Sequence, residues 1–197
     1  MEKAAALKVL QDEYLNCPRC PELVVNRTNV VFGVGNPDKC KIVIIGEAPG
    51  NWEDKKNEPF VGKSGQILNQ LLESVGLKRE EVYITNTILC RPPDNRNPTA
   101  QELRNCRNRL DTHIKILAPK VIITLGNFAT KYMLETKKGI TDLHGQVVEK
   151  NSMKIIPMFH PAVLLYSGMS PEKRKIMEDD FKKVKEILAS NPKLTNS

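Results

Sequence analysis

The stretch KIVIIGEAPG, residues 41–50, joins a run of core-forming residues to a sharp turn that carries an acid. Four consecutive β-branched residues, 42–45, favour a strand that is buried on both faces, as in a parallel sheet covered by helices. The stretch ends in GEAPG, where Pro49 and Gly50 bend the chain shortly after Glu47. Ligands of such sheets bind beyond the carboxyl ends of the strands, so this turn is expected to lie at a binding site.

Three more β-branched runs follow, at residues 82–87, 120–126 and 154–159, and segments with helical apolar spacing separate them. Alternating strands and helices predict βαβ units with right-handed crossovers. We therefore expect an α/β fold with three layers, α/β/α, around a central, mainly parallel four-stranded sheet. A chain of 197 residues fits one domain, assigned to residues 1–190, and residues 191–197 are expected to form a disordered tail.

Composition restricts the cellular setting and the kind of partner. No stretch approaches the ~20 apolar residues of a membrane-spanning helix, and the first residues lack the apolar block of a signal peptide. The sequence therefore predicts an intracellular, cytoplasmic protein. A net charge of +7 favours a polyanionic partner such as nucleic acid, although a solvated, lysine-rich surface would give the same total.

Four cysteines have the spacing of a metal site. Cys17 and Cys20 form a C-x2-C pair between prolines, and Cys90 and Cys106 follow with fifteen residues between them. In a cytoplasmic protein such thiols indicate metal ligation rather than disulfides, and four thiolates suit either tetrahedral zinc or an iron–sulfur cluster. Cys40 stands apart, directly before the first strand, and is expected to be a buried core thiol.

Several longer motifs follow one another along the chain: GEAPGNWED, EPFVGKSGQIL, ITNTILCRPPDNRNP and HPAVLL. With the cysteine spacing they resemble the family 4 uracil-DNA glycosylases, the thermostable iron–sulfur type of archaea and bacteria, over roughly residues 15–190. The resemblance implies hydrolysis of the bond joining uracil to deoxyribose in DNA, which leaves an abasic site in base excision repair. It also implies a uracil-DNA glycosylase-like fold. The ligands of a structural 4Fe-4S cluster, with zinc as the alternative, would be Cys17, Cys20, Cys90 and Cys106.

An enzyme of this kind must extrude its target base from the stack into a pocket. Phe60, in EPFVG, is then the predicted platform on which the uracil ring stacks. Asn86, at the end of the second strand, offers an amide donor and an acceptor that match the C4 carbonyl and N3–H of uracil but not the edge of cytosine. His160, in FHPAV, is the predicted catalytic donor to the negative charge that grows on uracil O2.

The GEAPG turn and the residues after it supply the remaining predicted contacts to uracil. The backbone at Gly46, Ala48 and Pro49 is expected to approach the base edge. The Glu47 carboxylate is expected to hold the attacking water or to counter the positive charge on the sugar. A distantly related family has an aspartate at the place of Ala48, so the sequence assigns no general base. Glu53 is predicted to read the C5 position of the pyrimidine and to exclude the methyl group of thymine.

DNA contacts are predicted around this site. Lys63 and Ser64 precede a helix whose N–H groups attract phosphate, and Arg91 lies in a proline-rich loop that could reach another phosphate. The segment after the HP pair offers three candidate wedges for the space that the base leaves: Leu164, Leu165 and Tyr166. Family members often carry arginine at the last of these positions, and tyrosine there favours stacking over a phosphate contact.

Two other functions fit parts of this pattern. A basic, zinc-stabilised nucleic-acid-binding module would use GEAPG and HPA only as turns, and a sister glycosylase would act on other damaged bases. The favoured enzyme is expected to act on uracil-containing DNA, single- or double-stranded, in the nucleoid. A monomer is the default, and a sliding clamp is a further candidate partner. Of the other histidines, His113 is expected to face solvent and His144 to have no catalytic role.

Overall fold

A central sheet of five strands organises the computed structural model, which describes residues 2–190. The strands are β1 Ile42–Gly46, β2 Val82–Asn86, β3 Val121–Leu125, β4 Val148–Lys150 and β5 Met153–Met158. Their order is β2-β1-β3-β5-β4, and all neighbours are parallel except β4, which runs antiparallel to β5. The mainly parallel sheet is confirmed, but the predicted number of strands was one too low. The missed strand, β4, has only three residues at a partly exposed edge, too few to produce a recognisable pattern.

Helices fill most of the chain between and around the strands. They are α1 Lys3–Leu15, α2 Pro21–Asn26, α3 Asn51–Lys56, α4 Lys63–Ser74, α5 Ala100–Leu117, α6 Gly126–Leu134, α7 Ile140–Leu143, α8 Ala162–Tyr166 and α9 Pro171–Ala189. Four of these, α2, α3, α7 and α8, have six residues or fewer, so they are too short to show helical spacing in the sequence. No helix within residues 2–190 is long and apolar enough to cross a membrane.

The helices cover both faces of the sheet. Side chains of α4, α8 and α9 pack against one face, which includes Ile44 and Ile123. Side chains of α1, α5 and α6 pack against the other face, which includes Val43 and Ile122. The predicted three-layer α/β/α arrangement is therefore confirmed. The division into a domain and a tail stays a prediction, because residues 191–197 lie outside the part of the chain that the structure describes.

The parallel strands end in register. Gly46, the last residue of β1, pairs with Asn86 at the end of β2, and Leu125 of β3 pairs with Met158 at the end of β5. The turn after β1, the loop after β2 and the HP pair after β5 therefore leave the sheet along one side. We call this side the carboxyl edge.

Two predictions about exposure are wrong. His113 was expected to face solvent, but it lies fully buried in the core, stacked on Phe32 with 4.6 Å between ring centroids and edge-on to Tyr83 at 5.1 Å. Charged neighbours on its helix hid the fact that it continues the buried stripe. Leu164 was a candidate wedge, but α8 turns it inward and the core encloses it completely, so it cannot reach a duplex.

Candidate functional site

Gly46 is the point at which two predicted site residues meet. A Cβ atom on this glycine would lie 2.4 Å from Asn86 Oδ1 and 2.6 Å from the ring of Phe60. Distances this short are prohibitive, so only glycine allows both side chains to approach the end of β1. The predicted convergence of the strand ends thus brings Asn86 and Phe60 together.

Asn86 has an unsatisfied hydrogen-bonding atom. Its side chain is 2% exposed, and its Oδ1 is buried without a hydrogen-bond partner among residues 2–190. An unpaired buried acceptor typically costs about 1–3 kcal/mol, so it calls for an explanation such as a missing ligand donor. The position and chemistry of this oxygen suit an N–H group of a bound molecule.

Arg109 holds the backbone on which Asn86 stands. Its Nη2 donates to the carbonyl oxygens of Asn86 at 2.7 Å and Thr87 at 3.0 Å, and its Nη1 donates to Thr85 Oγ1 at 3.3 Å. The guanidinium is fully buried, and all three acceptors are neutral oxygens. Sequence reasoning missed this residue, although its place three residues after Cys106, on the buried stripe of α5, was a usable signal.

Phe60 is held in an unusual backbone conformation. Its φ of +54° lies in the left-handed region that aromatic residues rarely adopt. The Glu53 carboxylate fixes the following backbone, because its Oε1 accepts from the N–H groups of Val61 at 3.0 Å and Gly62 at 2.9 Å. Gly65 is equally required, since a Cβ there would lie 1.8 Å from the Phe60 carbonyl oxygen.

These contacts place Glu53 differently from its predicted role. Its carboxylate is buried and turned toward the loop that carries Phe60, and the residue is not among those that line the neighbouring cavity. Asp54 is likewise buried, and it accepts from the N–H groups of Thr28 and Asn29 at 2.9–3.0 Å. Contact of Glu53 with a pyrimidine C5 stays a prediction, whereas its hydrogen bonds indicate a bracing role.

His160 lies next to Phe60, with 5.6 Å between the ring centroids. Its Nδ1 accepts from the backbone N–H of Ala162 at 3.2 Å. Burial lowers the pKa of His160 to about 4, so the imidazole is neutral at pH 7. Because Nδ1 is the acceptor, the single ring proton of the neutral form is on Nε2, which makes Nε2 a hydrogen-bond donor.

A cavity of about 280 Å³ opens beside these residues at the carboxyl edge. We call it the carboxyl-edge cavity. Glu47, Ala48 and Pro49 line it from the turn after β1, and His160 and Tyr166 line it from the segment after β5. Its other lining residues are Gly50, Pro92, Asn95, Arg96, Asn97, Ala162 and Val163. Asn86 and Phe60 are not lining residues; they border the cavity through their contacts with Gly46 and His160.

Glu47 brings a carboxyl group to this cavity. Its backbone carbonyl accepts from the Thr87 hydroxyl and from the N–H of Ile88 at 3.3 Å, so the turn is anchored to the loop after β2. Burial raises the pKa of Glu47. The neighbouring Ala48 contributes no acidic group to the cavity.

The four cysteines of the spacing pattern lie on one side of the sheet. Cys17, Cys20 and Cys106 pack against the core that includes Cys90, and all four are free thiols. Arg27 Nη1 contacts Cys90 Sγ at 3.0 Å, and Asn105 Nδ2 contacts Cys20 Sγ at 3.2 Å. Burial raises the pKa of Cys90 to about 11. Among residues 2–190, no group of three or more His, Cys, Asp and Glu side chains is arranged to hold a single metal ion.

Arg96 connects this cysteine region with the cavity. It lines the cavity, and its Nη2 pairs with Glu102 at 2.7 Å and with Glu22 at 3.1 Å. Glu102 lies on α5, four residues before Cys106, and also caps that helix together with Thr99. Arg96 therefore braces the loop after β2 against α5.

The predicted DNA contacts lie at the surface, apart from Leu164. Lys63 and Ser64 form the first turn of α4 directly after Gly62, and Arg91 Nε donates to Asn95 Oδ1 at 2.8 Å. Leu165 is partly exposed, and Tyr166 is 89% exposed at the cavity. Exposure is consistent with a wedge at either residue, and their DNA contacts stay predictions.

Comparison with known proteins adds independent findings. The profile of the Uracil DNA glycosylase superfamily matches residues 32–184. The chain is 42% identical to a type-4 uracil-DNA glycosylase of Sulfurisphaera tokodaii, over 95% of this chain and 87% of that protein. It is also 42% identical to those of Archaeoglobus fulgidus, over 89% of each chain, and of Thermotoga maritima, over 92% of this chain and 94% of the relative.

Proposed function

The chain belongs to the uracil-DNA glycosylase superfamily and hydrolyses the N-glycosidic bond of deoxyuridine in DNA, and from that premise we propose how its own residues do so. One observation carries the proposal. An unpaired carboxamide oxygen, an aromatic ring and a neutral imidazole are grouped beside one cavity. Those are the groups needed to select a flipped uracil, stack it and stabilise it as it leaves.

Asn86 selects uracil by its hydrogen-bonding edge. The unpaired Oδ1 accepts the N3–H of uracil, and the amide NH₂ donates to the C4 carbonyl. Cytosine presents an acceptor and an amino donor in the opposite order, so each partner would face a group of its own kind. A site built for one donor–acceptor order rejects the other strongly, because buried polar groups are left unpaired. Phe60 supplies the aromatic face on which the base stacks.

His160 stabilises the departing base. As the glycosidic bond stretches, negative charge accumulates on uracil O2, and the Nε2–H of the neutral imidazole donates to it. The hydrogen bond from Ala162 to Nδ1 holds the ring in the required tautomer before the substrate arrives. Preorganised donors of this kind contribute roughly 3–4 kcal/mol to transition-state stabilisation.

Glu47 acts on the sugar side of the reaction. Its carboxyl group lines the cavity, and the pKa raised by burial makes the carboxylate a stronger base than an exposed glutamate. We assign it to orienting the water and to countering the positive charge on the sugar. Because Ala48 offers no acid, uracil leaves as an anion first, and water adds late in the reaction. The residues at Gly46, Ala48 and Pro49 contribute backbone groups near the base.

A structural 4Fe-4S cluster is the proposed group on the cysteines. Through these residues the cluster would cross-link the segment before α2, the loop after β2 and helix α5, and its contribution would be structural because glycosyl hydrolysis involves no electron transfer. Donors on sulfur from Arg27 and Asn105 suit thiolate ligands, whose charge such hydrogen bonds stabilise. The proposed ligands are Cys17, Cys20, Cys90 and Cys106.

Zinc is the alternative group on the same four cysteines, since four thiolates also suit a tetrahedral zinc ion. The metal content and the colour of the purified protein distinguish the two.

We propose that the DNA strand, single or double, crosses the carboxyl edge with phosphates near Lys63 and Ser64. The charge of +7 supports this, since cationic surfaces concentrate polyanions. A monomer that works on chromosomal DNA in the nucleoid of the cytoplasm is the simplest assembly. A contact with a sliding clamp stays a prediction, and no feature of the described residues supports it.

The experiment that tests this function uses an oligonucleotide with a single uracil. We expect alkali-labile abasic sites and free uracil from U:G, U:A and single-stranded substrates, with no cleavage of matched strands that carry cytosine or thymine. In parallel, a brown preparation with four irons per chain would support the cluster. A colourless, zinc-containing protein would contradict the cluster assignment. Absence of base release would contradict the enzymatic function.

A further inference from the structure

Trp52, the single tryptophan of the chain, has no role in the site described above. It lies on α3 and is 57% exposed. An exposed indole leaves a large apolar surface in water, and tryptophan is enriched where a partner covers it.

The position of Trp52 connects it to the cavity. It follows Gly50, a lining residue of the carboxyl-edge cavity, by two positions. Its Cβ is 3.8 Å from where a Cβ on Gly62 would lie, and Gly62 is the residue from which α4 begins. The Cα–Cβ end of Trp52 is therefore close to Gly62, which directly precedes α4. Tyr166, which lines the cavity, is the other strongly exposed aromatic residue among residues 2–190.

The backbone that carries Trp52 is fixed. The next two residues, Glu53 and Asp54, are buried, and their carboxylates accept hydrogen bonds from backbone N–H groups on two other segments. Both carboxylates are therefore buried and hydrogen-bonded and are not exposed on the surface beside Trp52. Because the backbone is anchored, only the side-chain torsions of Trp52 need to be ordered when a partner stacks on the ring.

The charge around Trp52 identifies the partner. Lys55 Nζ lies 5.7 Å from the indole centroid, and Lys56 and Lys63 are exposed on the same two helices. A protein partner would be expected to contact a wider apolar patch, but the other exposed residues of α3 are Lys55 and Lys56. An aromatic ring among cations is the arrangement that binds a nucleic-acid strand, with a base on the ring and phosphates on the cations.

We propose that Trp52 is a stacking site for a nucleobase next to the flipped uracil, close to the turn after β1. The inference rests on the proposed passage of DNA over the carboxyl edge. The neighbouring base leaves the stack with the uracil and lies on the indole, and Lys55 and Lys63 contact the adjoining phosphates. The contact is independent of sequence, because every base has an aromatic face.

Intrinsic fluorescence tests the contact directly, since all indole emission comes from Trp52. A single-stranded oligonucleotide with a non-hydrolysable 2′-fluoro-deoxyuridine should quench this emission saturably. The same oligonucleotide with a base-free linker on each side of the uracil should bind with little quenching. Unchanged emission with an oligonucleotide shown to be bound by anisotropy would overturn the proposal.

Kinetics give the second test. Trp52→Ala should raise KM for single-stranded substrate about tenfold with kcat nearly unchanged, and Trp52→Phe should recover most of the loss. The base-free linkers should raise KM for the wild type but add little in Trp52→Ala, because both changes remove one contact. Val9→Ala, at an exposed site on α1, is the matched control. Additive losses, or an unchanged KM in Trp52→Ala, would overturn the stacking site while leaving uracil release established by the same assay.

Discussion

Two clefts at opposite edges of the sheet differ in volume and in the hydrogen-bond pairing of their polar groups. The larger one, about 570 Å³, lies at the amino ends of β3 and β5, where Lys120 and Met153 line it with residues of α5 and α6. We call it the amino-edge cleft. The carboxyl-edge cavity has about half that volume. The proposed site lies at the smaller of the two.

Five polar side chains of the amino-edge cleft form hydrogen bonds or ion pairs with other residues of the cleft. Arg107 contacts Glu135 at 3.1 Å, Lys150 contacts Glu135 at 3.5 Å, and the Tyr132 hydroxyl donates to Asp111 at 2.7 Å. At the carboxyl edge, the Oδ1 of Asn86 is buried without a partner, and His160 keeps a donor on Nε2. Volume alone therefore does not mark the site. The proposed site is marked instead by hydrogen-bonding groups that the protein itself leaves unpaired.

The largest effect is expected from Asn86→Asp, which replaces the amide NH₂ donor of the side chain by a carboxylate oxygen acceptor. A carboxylate repels the C4 carbonyl of uracil and accepts from the amino group of cytosine. We expect uracil release to fall by about 10³-fold or more and cytosine release to become detectable. The measurement is single-turnover release from matched U:G and C:G duplexes. If the wild type releases both bases equally, Asn86 is not the selecting residue.

His160→Ala removes the Nε2–H donor, the second hydrogen-bonding group that the protein leaves unused at the carboxyl edge. We expect base release to slow by roughly 10²–10³-fold, since one oxyanion donor is lost. His144→Ala is the matched control, because that imidazole is already paired with Asp180 at 2.8 Å and packs on Phe159. Circular dichroism and iron content should match the wild type. Wild-type rates in His160→Ala would remove this histidine from the mechanism.

Activity should also depend on the protonation of His160. With a pKa of about 4, the imidazole stays neutral and keeps its Nε2 donor role without a net charge down to mildly acidic pH. The contribution of the neutral form is therefore expected to persist through pH 5–8 and to change only as the pH falls through about 4.

Arg109→Met tests whether Arg109 is needed to hold Asn86, with its unpaired Oδ1, in position. The substitution leaves the carbonyl oxygens of Asn86 and Thr87 without their donor, so the end of β2 loosens. We expect KM for uracil-containing DNA to rise about tenfold, with a smaller effect on kcat, because His160 is untouched. Arg109→Lys should recover part of the loss. Arg104→Met, at an exposed position of the same helix, is the control; equal effects in both would argue against positioning.

His113 extends the comparison between the two clefts, because its ring nitrogens are unpaired although it does not line either cleft. Both ring nitrogens are buried without partners among the described residues, and burial lowers the pKa of His113 well below its ordinary value. Between that pKa and about 6.5 the unfolded chain binds more protons than the folded one, so stability falls as the pH is lowered. His113→Phe should remove up to about 1.4 kcal/mol of this loss per pH unit.

Thermal or denaturant unfolding at pH 7.5 and pH 5 measures this effect. The fall in stability on acidification should be smaller in His113→Phe than in the wild type, and uracil release at pH 7.5 should be similar. His113→Leu is the second variant, in case the larger ring of phenylalanine strains the contacts with Phe32 and Tyr83. The same acid sensitivity in all three proteins would show that His113 does not titrate within this range.

How much the sequence could predict follows from the same distinction. Strand ends meet by topology, so Glu47, Asn86 and His160 could be placed at one edge from the order of the runs alone. The direction in which a side chain points on a short or amphipathic helix could not be predicted in this way. Leu164 faces the core because α8 packs against α4, a tertiary contact that one turn of sequence does not encode. Arg109 was hidden because an arginine on a helix is usually solvated.

Glu53 shows a further reason for the limits of sequence reasoning. An acid three residues after a binding turn is equally compatible with a contact to the ligand and with a brace for a neighbouring loop. The two bonds from Val61 and Gly62 exist only because the chain returns to this point eight and nine residues later. Such a return depends on the left-handed conformation at Phe60, which no residue type in EPFVG predicts.

The smallest effect is expected at the amino-edge cleft. Glu135→Ala breaks the pairs with Arg107 and Lys150, both of them between exposed or half-exposed side chains that solvent screens. Because none of these groups is directed at the carboxyl edge, uracil release should remain within about twofold of the wild type. The assay is the same single-turnover release used for Asn86→Asp. A loss approaching that of Asn86→Asp would show that paired groups in the larger cleft take part in the reaction, and the contrast between the two clefts would then fail.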